Sequence, residues 1–433
     1  MKVNTLLFML ILCSPRVTFS QTLQEVWLAA KRQSPEIEVA NSRVAIAKSR
    51  VDQSARNLLP NLTGSLGKTM NRWEDAPQAV NREPRLSTEA RLRLTQNILD
   101  FSSYSAKNKS SLEFEVAIQE QVSTEELLRI NLSQAYLNFH FGYLRTRLFM
   151  DIFPNILQVQ NNINALEQAG QLDRTSGNFL LARISRLNGT RRMIDEDVQQ
   201  SKLFLENTTQ LALQETCKKE LSKLPLPDAS LAAKEKPEQK LYELKVKIAD
   251  EELRQRRFAR LPSFQLFLDK SWRNDDQTGD GRPGKQARFW SAGVELTWSF
   301  RDQLTLSDQI HELELRKSIV KTEATAFKDS QQRTLLTLAR NLADLSRQDE
   351  ESRAIQQRAI DMLRSIDSQS ALGHETRINK ISSSISALEI LLNALEDQLR
   401  YRLAYVQYLQ EAGHFDEAAL KKLSDSLCAV AGT

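Results

Sequence analysis

Helix breakers are scarce in this chain. Only 13 glycines and 11 prolines occur in 433 residues, and they cluster between periodic segments, which points to a mostly helical protein. Cysteine is nearly absent. Of three cysteines, Cys13 falls in the first 20 residues, which leaves Cys217 and Cys428 with no metal-ligand spacing. Each follows a long helical stretch, where a disulfide formed in an oxidising compartment and two free buried thiols both remain open. Of the four histidines, His140 lies in a helical stretch with aromatic neighbours, His311 and His414 are isolated, and His374 follows Gly373. No catalytic constellation, metal site or cofactor site is visible, which argues against an enzyme. Charge of one sign is missing too. The 59 Lys and Arg against 55 Asp and Glu leave a net charge of +4. The signs alternate as on solvated helix faces, without the basic run that nucleic acid requires.

Long apolar runs are also lacking. Residues 1–20 read as a secretory signal: Lys2 supplies the charged start, Leu6 to Cys13 the apolar stretch, and Thr18 and Ser20 the small residues before Gln21. Leu12 stands before Cys13, where a lipoprotein site needs a small residue, so lipidation is not expected. Nothing further along is long and apolar enough for a transmembrane helix. An exported chain of this kind that enters a membrane must do so as a closed β-barrel.

The most informative feature is a repeat. Ser34-Pro35-Glu36 returns as Lys236-Pro237-Glu238, and Leu59-Pro60 as Leu261-Pro262. Arg91-Leu92-Arg93-Leu94-Thr95 returns as Gly293-Val294-Glu295-Leu296-Thr297, all at an offset of 202 (for example 261 − 59). Gly170 returns one residue late, at Gly373. Shared punctuation with divergent side chains means one structural unit built twice. The expected division is a first repeat at 21–220, a second at 221–413 and a tail at 414–433.

Each half opens with helical periodicity, about Leu23 to Asn57 with a step at Pro35, and about Glu238 to Ala259. The period then falls to 2. Leu62, Leu66 and Met70 alternate with Asn61, Thr63, Ser65 and Thr69. Leu86, Ala90, Leu92 and Leu94 alternate with Ser87, Glu89, Arg91 and Arg93. In the second half Trp290, Ala292, Val294, Leu296, Trp298 and Phe300 alternate with Ser291, Gly293, Glu295, Thr297 and Ser299. The run before it alternates as well, apart from Phe267. Four strands are expected, at about 59–73, 85–98, 261–273 and 287–300, joined by polar loops. Such strands suit a membrane barrel, apolar towards lipid and polar towards a wet lumen, with Leu92, Leu94, Trp290, Val294, Leu296 and Trp298 as lipid-facing positions. A soluble two-layer sheet with one solvated face fits the same alternation. In a membrane, four strands fall short of the roughly eight that a minimal barrel needs, so several chains must pool them.

Long helices follow. From Asp302 to Leu372 there is neither Gly nor Pro. The matching stretch Phe101 to Ala169 contains only Gly142 and Pro154, with a kink expected at the proline. Beyond Gly373, Ile378, Ile381, Ile385, Leu388, Leu392, Leu395, Leu399, Leu403 and Val406 recur at three and four, as in a coiled-coil seam. Gly170 and Gly373 thus mark the tips of two helical hairpins, where a left-handed residue ends a helix. Thr175, Ser176 and Thr376 are candidate caps for the returning helices.

Helix, strand, strand, long helix, glycine turn and long helix, twice over, behind an export signal, resembles the TolC-type outer membrane factor family over nearly all of residues 22–413. The residues that carry the resemblance are the Leu-Pro strand entries, the exit Leu94-Thr95-Gln96-Asn97-Ile98-Leu99-Asp100, the run Gly293 to Phe300, and the tips Ala169-Gly170 and Leu372-Gly373. It implies a mainly α chain with a β-barrel portion. Three copies would pool their strands into one twelve-stranded outer-membrane barrel, with helical hairpins reaching into the periplasm. The implied partners are a periplasmic adaptor (membrane fusion protein) and an inner-membrane pump of RND or ABC type. The adaptor would dock on the tips, at Gly170, Arg174, Leu372, Gly373 and Arg377. Where relatives narrow the periplasmic end with acidic residues, the matching positions here are Ser176, Asn379 and Ser382, with Asp173, Glu375 and Arg377 flanking the tips as gate residues or as plain helix caps. Phe101-Ser102-Ser103 replaces the usual Gly-Gly after the first strand exit. The expected function is an exit duct for efflux or type I secretion. A structural or adhesive coiled-coil envelope protein is the alternative, against which the matched strand pairs argue.

Overall fold

The computed structural model describes residues 22–71, 85–160, 163–168, 170, 173–213, 221–227, 234–275, 286–298, 300–371 and 377–427. The export signal, Cys217, Cys428, Leu372, Gly373, His374, Glu375 and Thr376 lie outside them. The elements in order are α1 (Leu23–Gln33), α2 (Pro35–Arg56), β1 (Asn61–Asn71), β2 (Arg85–Leu99), α3 (Phe101–Gln160), α4 (Ile163–Gln168), α5 (Arg174–Thr209) and α6 (Pro237–Phe258). Then come β3 (Ser263–Asp275), β4 (Gln286–Thr297), α7 (Phe300–Ala371), α8 (Arg377–Glu411) and α9 (Glu417–Leu427).

The expected elements are present with shifted edges. Ser34 interrupts the opening helix as an extended residue whose N–H still reaches the Ala30 carbonyl, so Pro35 starts α2 where its missing donor costs nothing. The helix α3 continues through Pro154 to Gln160. Strand β4 ends at Thr297 and Phe300 already opens α7. Trp298 and Phe300, read as strand positions from their alternation, are therefore past the strand. The α7 run begins there because no Gly or Pro occurs from Phe300 to Ala371, and propagation adds one bond per residue.

The chain gathers into two compact units, and neither is a sequence repeat. One contains residues up to Val39, Val122–Lys236 and Lys328 onward, and the other contains Ala40–Gln121 and Pro237–Phe327. Each thus draws on both copies.

Among its described residues the first unit has helices and no strand. At its N-terminal end, Thr22 and Glu25 form a reciprocal capping box, with the Glu25 N–H on Thr22 Oγ1 at 3.3 Å and the Thr22 N–H on Glu25 Oε2 at 2.9 Å. Behind that cap Trp27 is buried with Leu128, Tyr136, Leu399, Tyr405 and Leu420. Lys31 Nζ reaches Glu417 at 3.1 Å and holds α1 to α9. The apolar stripe of α8 is buried as its period requires. Ile381, Ile385, Leu388 and Leu392 pack with Phe149, Phe153 and Ile156 of α3 and Ile184 of α5, while Leu395, Leu399 and Val406 join the Trp27 core. The short segment 221–227 is strapped down by polar contacts. Tyr401 Oη donates to the Leu224 carbonyl at 3.1 Å, and Arg402 Nη2 donates to the Ser222 carbonyl at 3.0 Å.

The second unit holds the sheet. Its order is β1-β2-β3-β4, antiparallel throughout. Leu62 faces Leu94, Leu94 faces Leu268, and Leu268 faces Ala292. Opposed residues share a face, so the alternation found in four separate strands merges into two continuous faces. The register slips once, between Asn97 and Leu99, where β2 leaves for α3. There Asp100 caps the helix, accepting from the Ser103 N–H at 3.0 Å.

Candidate functional site: a two-faced sheet and the hairpin tip

The sheet is the first part of the site. On one face lie Leu62, Leu66, Leu92, Leu94, Leu266, Leu268, Trp290, Val294 and Leu296, matched across strands by the register. Large side chains on this face are exposed: Leu66 is 79% and Val294 63% accessible. An apolar face this open needs a cover other than water. The edges are open as well, since β1 and β4 each pair on one side only among the described strands. Of the positions read as lipid-facing, Leu92, Leu94, Trp290, Val294 and Leu296 share this face. Trp298 instead lines a cleft of about 420 Å³ at the strand–helix junction, with Asp100, Phe258 and Pro262.

The opposite face is mainly polar, Phe267 and Phe289 apart, and five of its charged residues form ion pairs. Arg93 reaches Glu295 at 3.2 Å and Asp269 at 3.8 Å, and Arg91 reaches Glu89 at 3.3 Å. Phe267, the exception to the alternation, sits on this face. Gly293 lies opposite it. A Cβ at residue 293 would come within 2.9 Å of the ring, so glycine there makes room for the phenyl group. The Arg93 guanidinium lies 5.1 Å from the other part of the cluster, the Phe267 ring centroid. The sequence marked Phe267 as odd, but its explanation required the facing residue.

The hairpin tip is the second part. Gly170 has φ +67°, and its N–H meets the Glu167 carbonyl at 3.1 Å. The left-handed turn expected at this glycine is there. The cap of the returning helix is Asp173, not Thr175 or Ser176. Its carboxylate accepts the Ser176 N–H at 2.9 Å and the Ser176 hydroxyl at 2.6 Å. Those two bonds, the hydroxyl first, hold the Asp173 carboxyl below its usual pKa. Ser176, read as a gate position, thus has its hydroxyl committed to the cap. Arg174 is the first residue of α5, and Arg377 the first of α8. The helix α8 carries Asn379 and Ser382, and the Ser382 carbonyl accepts the Ser386 hydroxyl at 2.9 Å.

A polar link that no spacing signalled joins the two returning helices. Arg183 of α5 donates to both carboxylate oxygens of Glu389 on α8, through Nε at 3.4 Å and through Nη2, and to Ser386 Oγ at 3.2 Å. Deeper in this unit His140 is fully buried and neither ring nitrogen has a hydrogen-bond partner. Burial, helped by the nearby Arg402 charge, lowers its pKa to about 4. Among the described residues no three His, Cys, Asp or Glu side chains gather as a metal site, and no helix is long and apolar enough to cross a membrane.

No protein-family model matches the chain, and no curated protein matches it significantly in sequence. Its fold is similar to solved structures. The Campylobacter jejuni CmeC outer membrane channel superposes with a TM-score of 0.76 at 13% identity, over 93% of this chain and 89% of that one. The outer-membrane channel OprN gives 0.75 at 12%, over 90% of each chain. The open state of the Neisseria gonorrhoeae MtrE outer membrane channel gives 0.72 at 15%, over 95% of this chain and 91% of that one. With helical hairpins and a four-stranded antiparallel sheet, this chain carries the fold of the TolC-type outer membrane channels.

Proposed function

We propose that the protein is an outer-membrane exit duct that works as a homotrimer. The observation that carries this reading is the sheet: four strands of 11 to 15 residues, one face apolar and exposed, the other mainly polar with ion pairs, and both edges open. Open edges left in lipid carry unsatisfied backbone groups, each costing several kcal/mol. Closure requires β1 of one copy to pair with β4 of the next, and three copies give twelve strands. The apolar face then meets lipid and the polar face lines the passage. The likeness in fold to outer membrane channels supports the same reading.

The hairpins serve as the periplasmic part. The tips, with Gly170, Arg174, Leu372, Gly373 and Arg377, form the docking surface for a periplasmic adaptor that couples the duct to an inner-membrane pump. Ser176, Glu375, Asn379 and Ser382 surround the periplasmic constriction, and Arg183–Glu389 ties the two returning helices beside it. The duct is passive. It binds no cofactor and performs no catalysis, and the cargo is selected by the pump.

The test is fractionation of the membranes, sizing of the extracted protein, and conductance in planar bilayers. An outer-membrane trimer that conducts is the expected result. A soluble periplasmic rod without conductance would overturn the duct and favour a structural coiled-coil protein.

A further inference from the structure

The two faces of the sheet differ in a way that hydrophobicity does not capture. The polar face carries both signs, with Arg91, Arg93, Glu89, Asp269 and Glu295 in the ion pairs described above. The apolar face carries three cations, Lys68, Lys270 and Arg288, and among the described strand residues no Asp or Glu shares that face. Lys270 and Arg288 lie on the paired strands β3 and β4, and Lys68 lies on β1, two strands from Lys270. Lys68 and Arg288 lie in the half of the sheet next to the β1–β2 and β3–β4 connections, and Lys270 lies one residue past the middle of β3 on that side. Lys270 faces Trp290, and Arg288 faces Trp272. Lys68, two positions past Leu66 on the same face, faces Thr88, which in turn faces Asn274. The half next to the helices, with Leu62, Leu94, Leu268, Val294 and Leu296, has no charge on this face.

The indoles hold Lys270 in place. Its Nζ lies 4.4 Å from the Trp290 ring centroid and 4.9 Å from that of Trp272. A cation on the lipid side of a barrel is costly near mid-membrane and becomes tolerable towards the interface. Amphipathic tryptophans belong at that same level, and a lysine stem there leads its ammonium towards the headgroups. Among the described residues these three cations share their face with no carboxylate, and an external anion on the lipid side would complement them.

We propose that Lys68, Lys270 and Arg288, framed by Trp272 and Trp290, form a binding site for the phosphate groups of a phosphorylated glycolipid in the outer leaflet. This rests on the membrane reading above. The connection ends of the strands point away from the helices, so the site faces the leaflet opposite the periplasm. The occupant is a lipid and not a free phosphate, because the surrounding face is exposed Leu, Val and Trp, which acyl chains cover and a soluble ion does not. Closing the trimer extends the site, since β1 with Lys68 then runs beside β4 with Arg288 of the next copy.

Native mass spectrometry of the detergent-extracted, full-length mature trimer tests this, with bisphosphorylated lipid A, dephosphorylated lipid A and phosphatidylcholine as probes. Bisphosphorylated lipid A should be retained several-fold more than the other two. Lys270→Gln, and separately Lys68→Gln with Arg288→Gln, should weaken its retention about fivefold per cation removed. Arg91→Gln, on the polar face, should leave it unchanged. An equal concentration of inorganic phosphate should not displace the lipid. Equal retention of the phosphorylated and dephosphorylated lipids by the native protein would overturn the site, as would displacement by inorganic phosphate. That comparison needs no variant, so a variant that fails to assemble leaves the outcome decided. Failure of the membrane reading is separate and shows earlier, as absence of the native protein from the outer-membrane fraction.

Discussion

Arg93 and Glu295 occupy the same place in the two repeats, 202 residues apart, and they bond to each other at 3.2 Å. The pair spans β3, the strand between their own strands, diagonally from the level of Asp269 to that of Gln265. A duplicated position has become complementary: one copy has taken a cation and the other an anion. Both side chains are partly exposed, so the pair contributes only about 0–1 kcal/mol. Its larger effect is on register. Arg93→Glu places a third carboxylate beside Asp269 and Glu295 and should lower trimer yield and thermal midpoint. The swap Arg93→Glu with Glu295→Arg should recover part of the loss, since a carboxylate at residue 93 still faces Asp269. A double variant no better than the single one would show that the ion pair does not set the alignment of β2 and β4.

Phe267 and Gly293 form a second matched pair. Gly293→Leu forces a side chain into the phenyl ring, an overpacking that costs about 1–3 kcal/mol. Shortening the ring should relieve it, so Gly293→Leu with Phe267→Ala should be more stable in thermal unfolding than Gly293→Leu alone. Additive losses would mean that the ring has room to move aside.

The faces can be tested with charge. Val294 lies on the apolar face opposite Leu266, and Ser291 lies on the polar face opposite Asp269. Val294→Arg should cost roughly 2–4 kcal/mol of barrel stability and deplete trimer from the outer membrane. Ser291→Arg should assemble normally and alter ion selectivity in single-channel recordings. Equal yields of both variants would contradict the assignment of the apolar face to lipid.

His140 makes stability depend on pH in the helical unit. Its pKa falls from 6.5 to about 4 on folding, so the unfolded chain binds the proton more readily. Its contribution is therefore complete above pH 6.5 and is lost as pH falls towards 4. Linkage puts the loss between pH 7.5 and 5 at about 2 kcal/mol. His140→Phe removes the titrating ring and its two unpartnered nitrogens. The difference in thermal midpoint between those pH values should shrink in this variant. An unchanged difference would assign the pH dependence to other groups.

The sequence by itself determined the periods, and with them the faces. Side chains alternate along a strand and recur every 3.6 residues along a helix, so Leu62, Leu92, Val294 and the α8 stripe could be assigned to a face before any neighbour was known. The scarcity of glycine and proline set the helix lengths, and Gly170 marked a turn because a left-handed residue favours glycine. The alternation of Trp298 and Phe300 extends beyond the end of β4, because the helix that follows claims Phe300. What lies across a strand or against another helix was decided by the tertiary structure alone. Parity states which face a residue is on, not which residue it meets. Only the register brought Arg93 to Glu295, Phe267 to Gly293, and Lys270 between Trp272 and Trp290. Only packing brought Arg183 to Glu389, and only backbone geometry chose Asp173 over Thr175 and Ser176 as the cap. The repeats, clear in the sequence, did not become the compact units. Burial follows the apolar stripes wherever they meet, and the stripes of both copies meet in shared cores.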